Sequence, residues 1–125
     1  MRILSPAFCV RFAGHMLNIH PSRLPLYPGL HTYERALAEG AVEHGSTVHF
    51  VTAELDGGPR VAMTRLPIRP DDTVETLSAR VQAAERRLYP EVARWAALGR
   101  LAWRTGQPWL DGAPLDQPIE VDVAG

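Results

Sequence analysis

The chain has 125 residues, of which 46% are hydrophobic and 22% charged, the proportions of one globular domain. Its 13 basic and 14 acidic residues give a net charge of −1, so no positive field would attract a nucleic acid. The single cysteine, Cys9, excludes an internal disulfide and suits a reducing compartment. The opening MRILSPAF is too short for a secretory signal, and no window approaches the roughly 18 apolar residues of a membrane helix, so we expect a cytoplasmic protein.

The first 68 residues carry alternating helix and strand signals. Ser5 and Pro6 are typical of a helix start and Gly14 of a helix end, while Thr32 and Gly40 are suited to cap a second helix. The segment STVHFVTA is rich in β-branched residues, which favour a strand. The predicted elements are a helix over 6–14, a strand over 15–20, a helix over 32–40, a strand over 46–53, a turn over 54–60 and a strand over 61–68.

A long helix over about 73–98 is the clearest predicted element. Asp72 as N-cap and Glu75 three residues on form a capping-box pattern. Pro90 lies inside the helix and is expected to kink it rather than end it, because the apolar period resumes in phase. The tail predicts two short strands around Gly106, followed by a second turn at DG. The apolar stripe of the helix is formed by Leu77, Val81, Ala84, Leu88, Val92 and Trp95.

Strands that alternate with helices predict an α/β sheet with helices on its faces. Only three convincing core strands are present, which is few for that architecture. The first strand (15–20) is apolar enough to be central, yet one short helix alone precedes it. The sequence is therefore interpreted as the second half of a larger domain.

Asn18 and His20 are the first candidate functional residues. Alternate side chains of a strand share a face, and Pro21 holds His20 extended where the strand stops. Beyond such a strand end, an imidazole can transfer protons and an amide can stabilise an oxyanion. Asp56 in ELDGGP is a carboxylate that can orient the imidazole. The residues alone favour the simpler alternatives. In these, Asn18 and His20 hydrogen-bond backbone groups of the loop, and Asp56 only stabilises the turn that contains it.

The five histidines, at positions 15, 20, 31, 44 and 49, have no metal-ligand spacing, and no metal site is predicted. His49 lies within a predicted strand and is expected to be a satisfied, partly buried residue. Glu85 and Gln82 lie opposite the apolar stripe, where a solvated face is the ordinary interpretation. No Walker-type or GxGxxG loop is present to hold a phosphate.

The segments LNIHPSRLPLYPGLHTYERAL and HGSTVHFVTAELDGGP closely resemble the phosphoribosylglycinamide formyltransferase family, folate-dependent enzymes of de novo purine synthesis. The resemblance runs from MRILSPAF through ARVQAAERRLYP to AWRTGQPWLDGAPL, essentially the whole chain. It implies a three-layer, Rossmann-like α/β fold, represented here by its C-terminal half, with a mostly parallel sheet and flanking helices. It also implies formyl transfer from 10-formyltetrahydrofolate to the amine of glycinamide ribonucleotide, without a metal.

The resemblance assigns roles to individual residues. Asn18 matches the residue that holds the oxyanion, His20 the group that polarises the formyl group and shuttles protons, and Asp56 the carboxylate that sets the histidine and positions a relay water. Glu85 matches a carboxylate that binds ribose hydroxyls, and Gln82 is a weaker candidate beside it. The residues that match the folate pocket and its loop are Arg2, Ile3, Leu4, Cys9, Thr52, Ala53, Glu54, Leu55 and Asp56.

Two departures from the family pattern lead to further expectations. Arg23 stands where the family usually has a hydrophobic residue and is expected to be a tolerated surface change. Residues 1–125 are expected to form a single formyltransferase domain that lacks the family's N-terminal strands and phosphate-binding turn. A second copy or a partner chain is then expected to cover the open sheet edge.

Two alternative functions stay open at this point. The first is formyltetrahydrofolate deformylase, which uses the same Asn, His and Asp with water as acceptor, although GLHT and Glu85 argue against it. The second is a remnant without catalytic activity that binds folate weakly.

Overall fold

A computed structural model describes residues 9–12, 15–51 and 58–121 of the chain. In this part the two helices are α1 (Thr32–Ala38) and α2 (Val74–Ala97). The first six strands are β1 (Cys9–Phe12), β2 (His15–His20), β3 (Glu43–His44), β4 (Thr47–Phe50), β5 (Arg60–Thr64) and β6 (Leu66–Pro67). The remaining strands are β7 (Leu101–Arg104), β8 (Gln107–Leu110), β9 (Ala113–Pro114) and β10 (Ile119–Val121).

The main sheet has five strands in the order β1-β2-β4-β5-β10. The first three pairings are antiparallel, and only β10 runs parallel to its neighbour β5. The α/β class is thus confirmed, but the sheet is mixed and the expectation of mostly parallel strands does not hold for the described strands. Two smaller antiparallel sheets, β3-β6 and β7-β8-β9, complete the described part of the fold.

The predicted helix over 6–14 is wrong where the structure describes it, because residues 9–12 form strand β1. Val10 and Phe12 alternate with Cys9 and Arg11, a period of two that suits a strand. The pairing with β2 decides the outcome, since a segment this short has little helical stability of its own. The predicted helix ends, Ser5, Pro6 and Gly14, lie outside the described residues.

Helix α2 covers one face of the sheet through the predicted apolar stripe. All six stripe residues are buried, and the helix continues through Pro90 as expected. Its main cluster joins Leu88 and Val92 to Leu17 and Val48 of the central strands. Burial of this face, at about 25 cal/mol for each Å² of apolar surface, is what fixes the helix on the sheet. The opposite faces of the central strands remain available for polar side chains.

Both helix starts differ from the sequence prediction by one residue. Thr73, not Asp72, is the N-cap of α2, and its capping-box partner is Thr76 rather than Glu75. The Thr73 hydroxyl accepts from the Thr76 backbone N–H at 3.2 Å, while the Asp72 carboxylate accepts from Arg80 instead. At α1 the N-cap is His31, and Thr32 instead donates its hydroxyl to a loop carbonyl.

The predicted strand over 61–68 is divided at Arg65 into β5 and β6, and β6 pairs with β3 outside the main sheet. Strand β10 was not predicted. It is three residues long, too short to show a strand pattern, and the proline directly before it is typical of a turn. The tail hairpin β7–β8 and the turn before β9 agree with the prediction.

In the portion of the chain that the structure covers, no helix has the length and apolar character needed to cross a membrane.

Candidate functional site

Strand β2 separates its side chains between the core and the candidate site. Leu17 and Ile19 pack in the apolar core on the α2 side. Asn18 and His20 alternate with them and therefore point to the opposite face of the sheet. Their exposed fractions are 0% and 5%, so both polar side chains lie in a nearly dry environment. Such burial is costly for polar groups unless they are hydrogen-bonded, which makes this pair a candidate site.

His20 is the last residue of β2, and a hydrogen bond fixes its ring. Its Nε2 lies 2.9 Å from the backbone oxygen of Tyr27. A carbonyl oxygen can only accept, so Nε2 carries the proton and Nδ1 carries the lone pair of the neutral ring. A tight turn follows the strand, since the Ser22 backbone N–H donates to the His20 carbonyl at 2.8 Å. The imidazole is therefore oriented as a proton acceptor through Nδ1.

Strand β4 supplies the residues that face this pair. Thr47 lies opposite His20 in the strand register, and His49 lies opposite Asn18. The Thr47 hydroxyl donates to the Ser22 carbonyl at 2.7 Å and accepts from the Leu24 backbone N–H at 3.0 Å. It therefore anchors the turn that follows the catalytic candidate. His49 is fully buried, deeper than expected, and its Nδ1 lies 3.1 Å from the Phe50 carbonyl oxygen.

The carbonyl of Pro21, next to His20, accepts two hydrogen bonds. His44 Nε2 lies 3.0 Å from this oxygen and the Thr32 hydroxyl lies 2.6 Å from it. His44 is buried beside the rings of Tyr27 and Tyr33. Burial lowers the pKa of His44, which favours the neutral ring with one N–H that this bond requires. Two separate elements thus hold the backbone immediately after His20.

Glu85 is not on a solvated face, contrary to the expectation from the residues alone. It is half-buried, and one carboxylate oxygen accepts from the Ser46 hydroxyl at 2.6 Å. Burial raises its pKa, and the Ser46 hydrogen bond partly opposes that effect. Ser46 directly precedes Thr47, the residue opposite His20. The hydrogen bond from Ser46 therefore holds the Glu85 carboxylate at the start of β4. Gln82 is exposed and hydrogen-bonds Tyr33, whose pKa is raised mainly by burial.

Cys9 is the one residue of the folate assignment that the structure describes, and its Cα lies opposite that of Asn18 in the strand register. The loop that carries Asp56 leaves the described chain after Val51 and re-enters it at Gly58. The Phe50 backbone N–H donates to the Pro59 carbonyl at 2.9 Å, which closes the base of this loop. The assigned residues Arg2, Ile3, Leu4, Thr52, Ala53, Glu54, Leu55 and Asp56 lie outside the described residues.

Arg23 is a half-buried residue held by charged partners rather than a free surface side chain, which corrects the expectation drawn from the family pattern. Only 14% of its side chain is exposed, and its guanidinium forms several charged hydrogen bonds. The sequence near Arg23 does not indicate these contacts, because the main partner, Glu120, is 97 residues away along the chain.

Sequence reasoning missed Ser46, Thr47 and His44 as parts of the site. The alternation within STVHFVTA was available as a signal, since it places Thr47 on the same strand face as His49. The role of His44 had no local signal, because its partner belongs to another loop. Over the ranges 9–12, 15–51 and 58–121, no group of three or more His, Cys, Asp or Glu side chains could hold a metal ion.

Comparison of the sequence with known proteins identifies a family and several relatives. A formyl transferase family model matches residues 1–93. The phosphoribosylglycinamide formyltransferase of Escherichia coli is 53% identical over 115 residues, which are 92% of this chain and 54% of that protein. This chain therefore spans about half the length of such relatives.

Solved structures agree with the sequence matches. The phosphoribosylglycinamide formyltransferase of Coxiella burnetii superposes with a TM-score of 0.80 at 52% identity, over 95% of this chain and 57% of that one. A formyltetrahydrofolate deformylase of Pseudomonas syringae is more distant, with a TM-score of 0.69 at 26% identity over 75% of this chain and 32% of its own.

Proposed function

Since the chain belongs to the formyl transferase family, we propose that it carries the catalytic strand for formyl transfer from 10-formyltetrahydrofolate to the amine of glycinamide ribonucleotide, in de novo purine biosynthesis. The observation that carries the proposal is the burial of Asn18 and His20 side by side on the face of β2 opposite α2, with the imidazole fixed in one tautomer. The single cysteine is consistent with action in the cytoplasm.

The reaction forms a bond between the glycinamide nitrogen and the formyl carbon, and breaks the bond from that carbon to N10 of the folate. The formyl oxygen carries negative charge between these steps, and the Asn18 amide donates a hydrogen bond to it. Loss of one such donor typically lowers the rate about 10²–10³-fold. One proton leaves the attacking amine and one reaches N10, so charge and atoms balance. His20 accepts a proton through Nδ1, and while Nδ1 carries that proton it can donate to the formyl oxygen and polarise it; Asp56 orients the relay water.

Glu85 is proposed to bind the ribose hydroxyls of the ribonucleotide. A carboxylate accepts hydrogen bonds from a pair of hydroxyls, and Ser46 holds one of its oxygens in place at 2.6 Å. Gln82 is a weaker candidate beside it. The folate is proposed to contact Arg2, Ile3, Leu4, Cys9 and the loop Thr52, Ala53, Glu54, Leu55 and Asp56, by resemblance to the family.

We also propose that residues 1–125 belong to a single formyltransferase domain, whose phosphate-binding turn lies in the part of the relatives that this chain does not cover. Among the described strands, β1 pairs only with β2. Its outer edge therefore offers backbone groups to another strand, and we propose that a second copy or a partner chain covers it.

The test measures formyl transfer by the 125-residue chain with both substrates. We expect folate product to form only when the ribonucleotide is present, and His20→Asn and Asn18→Ala to lower kcat at least about 10²-fold. His31→Asn is the matched control, since His31 is exposed and outside the site. Formate release without the ribonucleotide would instead support a deformylase. Folate binding without turnover would support a remnant.

A further inference from the structure

The guanidinium of Arg23 joins three strands to the turn after His20. Its Nη1 donates to the Thr64 carbonyl of β5 at 3.0 Å and to Glu120 Oε1 of β10 at 2.8 Å. Its Nη2 donates to Glu120 Oε2 at 2.9 Å, so the pair with this carboxylate is bidentate. Its Nε lies 3.7 Å from Glu43 Oε1 of β3. Every nitrogen of this side chain therefore has an acidic or carbonyl oxygen nearby.

The position of Arg23 in the chain gives these contacts a consequence for the site. It lies three residues after His20, inside a turn whose other members are held by the central strands. Thr47 binds the backbone on both sides of it, and Arg60 Nη1 donates to the Leu24 carbonyl at 2.9 Å. Tyr27, whose carbonyl orients the His20 ring, follows four residues later. Arg23 is thus between the catalytic candidate and the group that fixes its tautomer.

Bidentate pairing makes this contact directional as well as attractive. A planar guanidinium with two parallel bonds to one carboxylate resists rotation, and its further bond to the Thr64 carbonyl is partly buried. The Arg23 hydrogen bond also lowers the pKa of Glu120, so the pair stays charged over the ordinary pH range. A leucine or lysine at position 23 cannot reproduce these parallel bonds.

We propose that Arg23 is a positioning residue for His20, and that through Glu120 it makes the C-terminal strand β10 part of the support of the catalytic turn. This inference rests on the proposed function for its effect on turnover. Its structural part, the coupling of β10 to the orientation of the His20 ring, can be measured without any turnover.

The test compares Arg23→Leu and Glu120→Gln with the parent chain. The Nε2–H tautomer of His20 is followed by nitrogen-15 NMR, with its ring signals assigned by their loss in His20→Asn. The matched control is Arg100→Leu, which removes an equally bidentate pair with Asp111 on the exposed tail. Arg23→Lys is added because it keeps the charge and the aliphatic stem, and so serves if the leucine variant does not fold.

We expect Arg23→Leu, and more weakly Glu120→Gln, to reduce the Nε2–H tautomer of His20 and to lower kcat about threefold to tenfold with little change in either KM. Arg100→Leu should change neither the tautomer nor kcat. An unchanged His20 tautomer in folded Arg23→Leu or Arg23→Lys would overturn the proposal. If the parent chain shows no turnover, the proposed function fails while the tautomer still decides the role of Arg23.

Discussion

At the scale of single residues, the burial of Glu85 opposes the charged form that its proposed role uses. A buried carboxylate is less stable in its charged form, which is why the pKa of Glu85 is raised. The folded protein therefore binds this proton more readily than the unfolded chain does. Stability falls as pH rises through the raised pKa, whereas the proposed binding of ribose hydroxyls uses the charged form, which is populated above that pKa.

Glu85→Gln is expected to separate these two effects. The amide oxygen can still accept from Ser46, but the cost of a buried charge disappears. Above neutral pH the variant should melt about 2–4 °C higher than the parent, and the gain should vanish as pH falls below the raised pKa. The KM for the ribonucleotide should rise in the same variant. Thermal melts over a pH series check the change in stability, and initial rates check the change in KM. A Glu85→Gln variant that melts below the parent at high pH would contradict the predicted stabilisation.

At the scale of secondary-structure elements, Gly45 lies between β3 and β4 and packs against Thr64 of β5. A Cβ at this position would overlap the carbonyl oxygen of Thr64, a backbone atom that cannot turn away. The same stretch of β5 exchanges hydrogen bonds with Ser46, since the Thr64 N–H donates to the Ser46 carbonyl at 2.9 Å and the Ser46 N–H donates to the Thr64 hydroxyl at 2.9 Å. The absent side chain therefore allows the two strands to approach beside the site.

Gly45→Ala is expected to cost about 1–3 kcal/mol or more of unfolding free energy, because the strands must separate. It should also raise the KM for the ribonucleotide, since Ser46 moves with the strand and no longer holds Glu85. Gly40→Ala is the control: a Cβ there meets nothing within 4 Å, and only its positive φ of 69° opposes the change. Urea unfolding of both variants measures the difference, and equal costs would refute the steric explanation.

The start of α2 depends on Asp72, although this residue is not the N-cap. Its carboxylate accepts from Arg80 at 2.7 and 2.6 Å and from the Arg69 backbone N–H at 2.7 Å. These bonds lower the pKa of Asp72 to about 2. A depressed folded-state pKa contributes stability above the unfolded value of about 3.9, and that contribution is lost as pH falls towards 2.

Asp72→Asn should therefore lower the unfolding free energy at pH 7 by about 1–2 kcal/mol. The difference from the parent should shrink as pH falls from about 4 towards 2. The neighbouring, exposed Asp71 gives the control Asp71→Asn, which should change little. Urea titrations at several pH values measure the difference in unfolding free energy between Asp72→Asn and the parent. A difference that grows as pH falls would contradict the lowered pKa of Asp72.

At the scale of the whole molecule, local patterns predicted the elements whose own sequence carries a strong signal. The stripe of α2 is visible because its period repeats over six buried positions, and the tail hairpin because its turns carry glycine. Strands β1 and β10 were not predicted, since each is three or four residues long and is stabilised by pairing with a distant segment. The candidate pair Asn18 and His20 followed from strand alternation, but their supports in β4 and at Arg23 depend on tertiary contacts.

Among the described strands none pairs with the outer edge of β1, and this leads to a prediction about association. Alternate residues of an antiparallel strand direct their backbone N–H to opposite edges, so of Val10 and Arg11 one faces β2 and the other faces outward. We expect the chain to associate with increasing concentration in sedimentation experiments. One of the variants Val10→Pro and Arg11→Pro should weaken association without a large loss of stability, while the other destabilises the sheet. A monodisperse monomer with a cooperative melt would contradict this.

The parallel strand β10 also bears on how the protein is made. Glu120 is synthesised 97 residues after Arg23, which at about 5–20 residues per second leaves the arginine without its carboxylate for about 5–20 s on the ribosome. During that interval β2, β4 and β5 can pair and α2 can dock, but the turn beyond His20 still lacks one of its supports. The support of the turn after His20 is therefore completed by one of the last described segments of this chain to be translated.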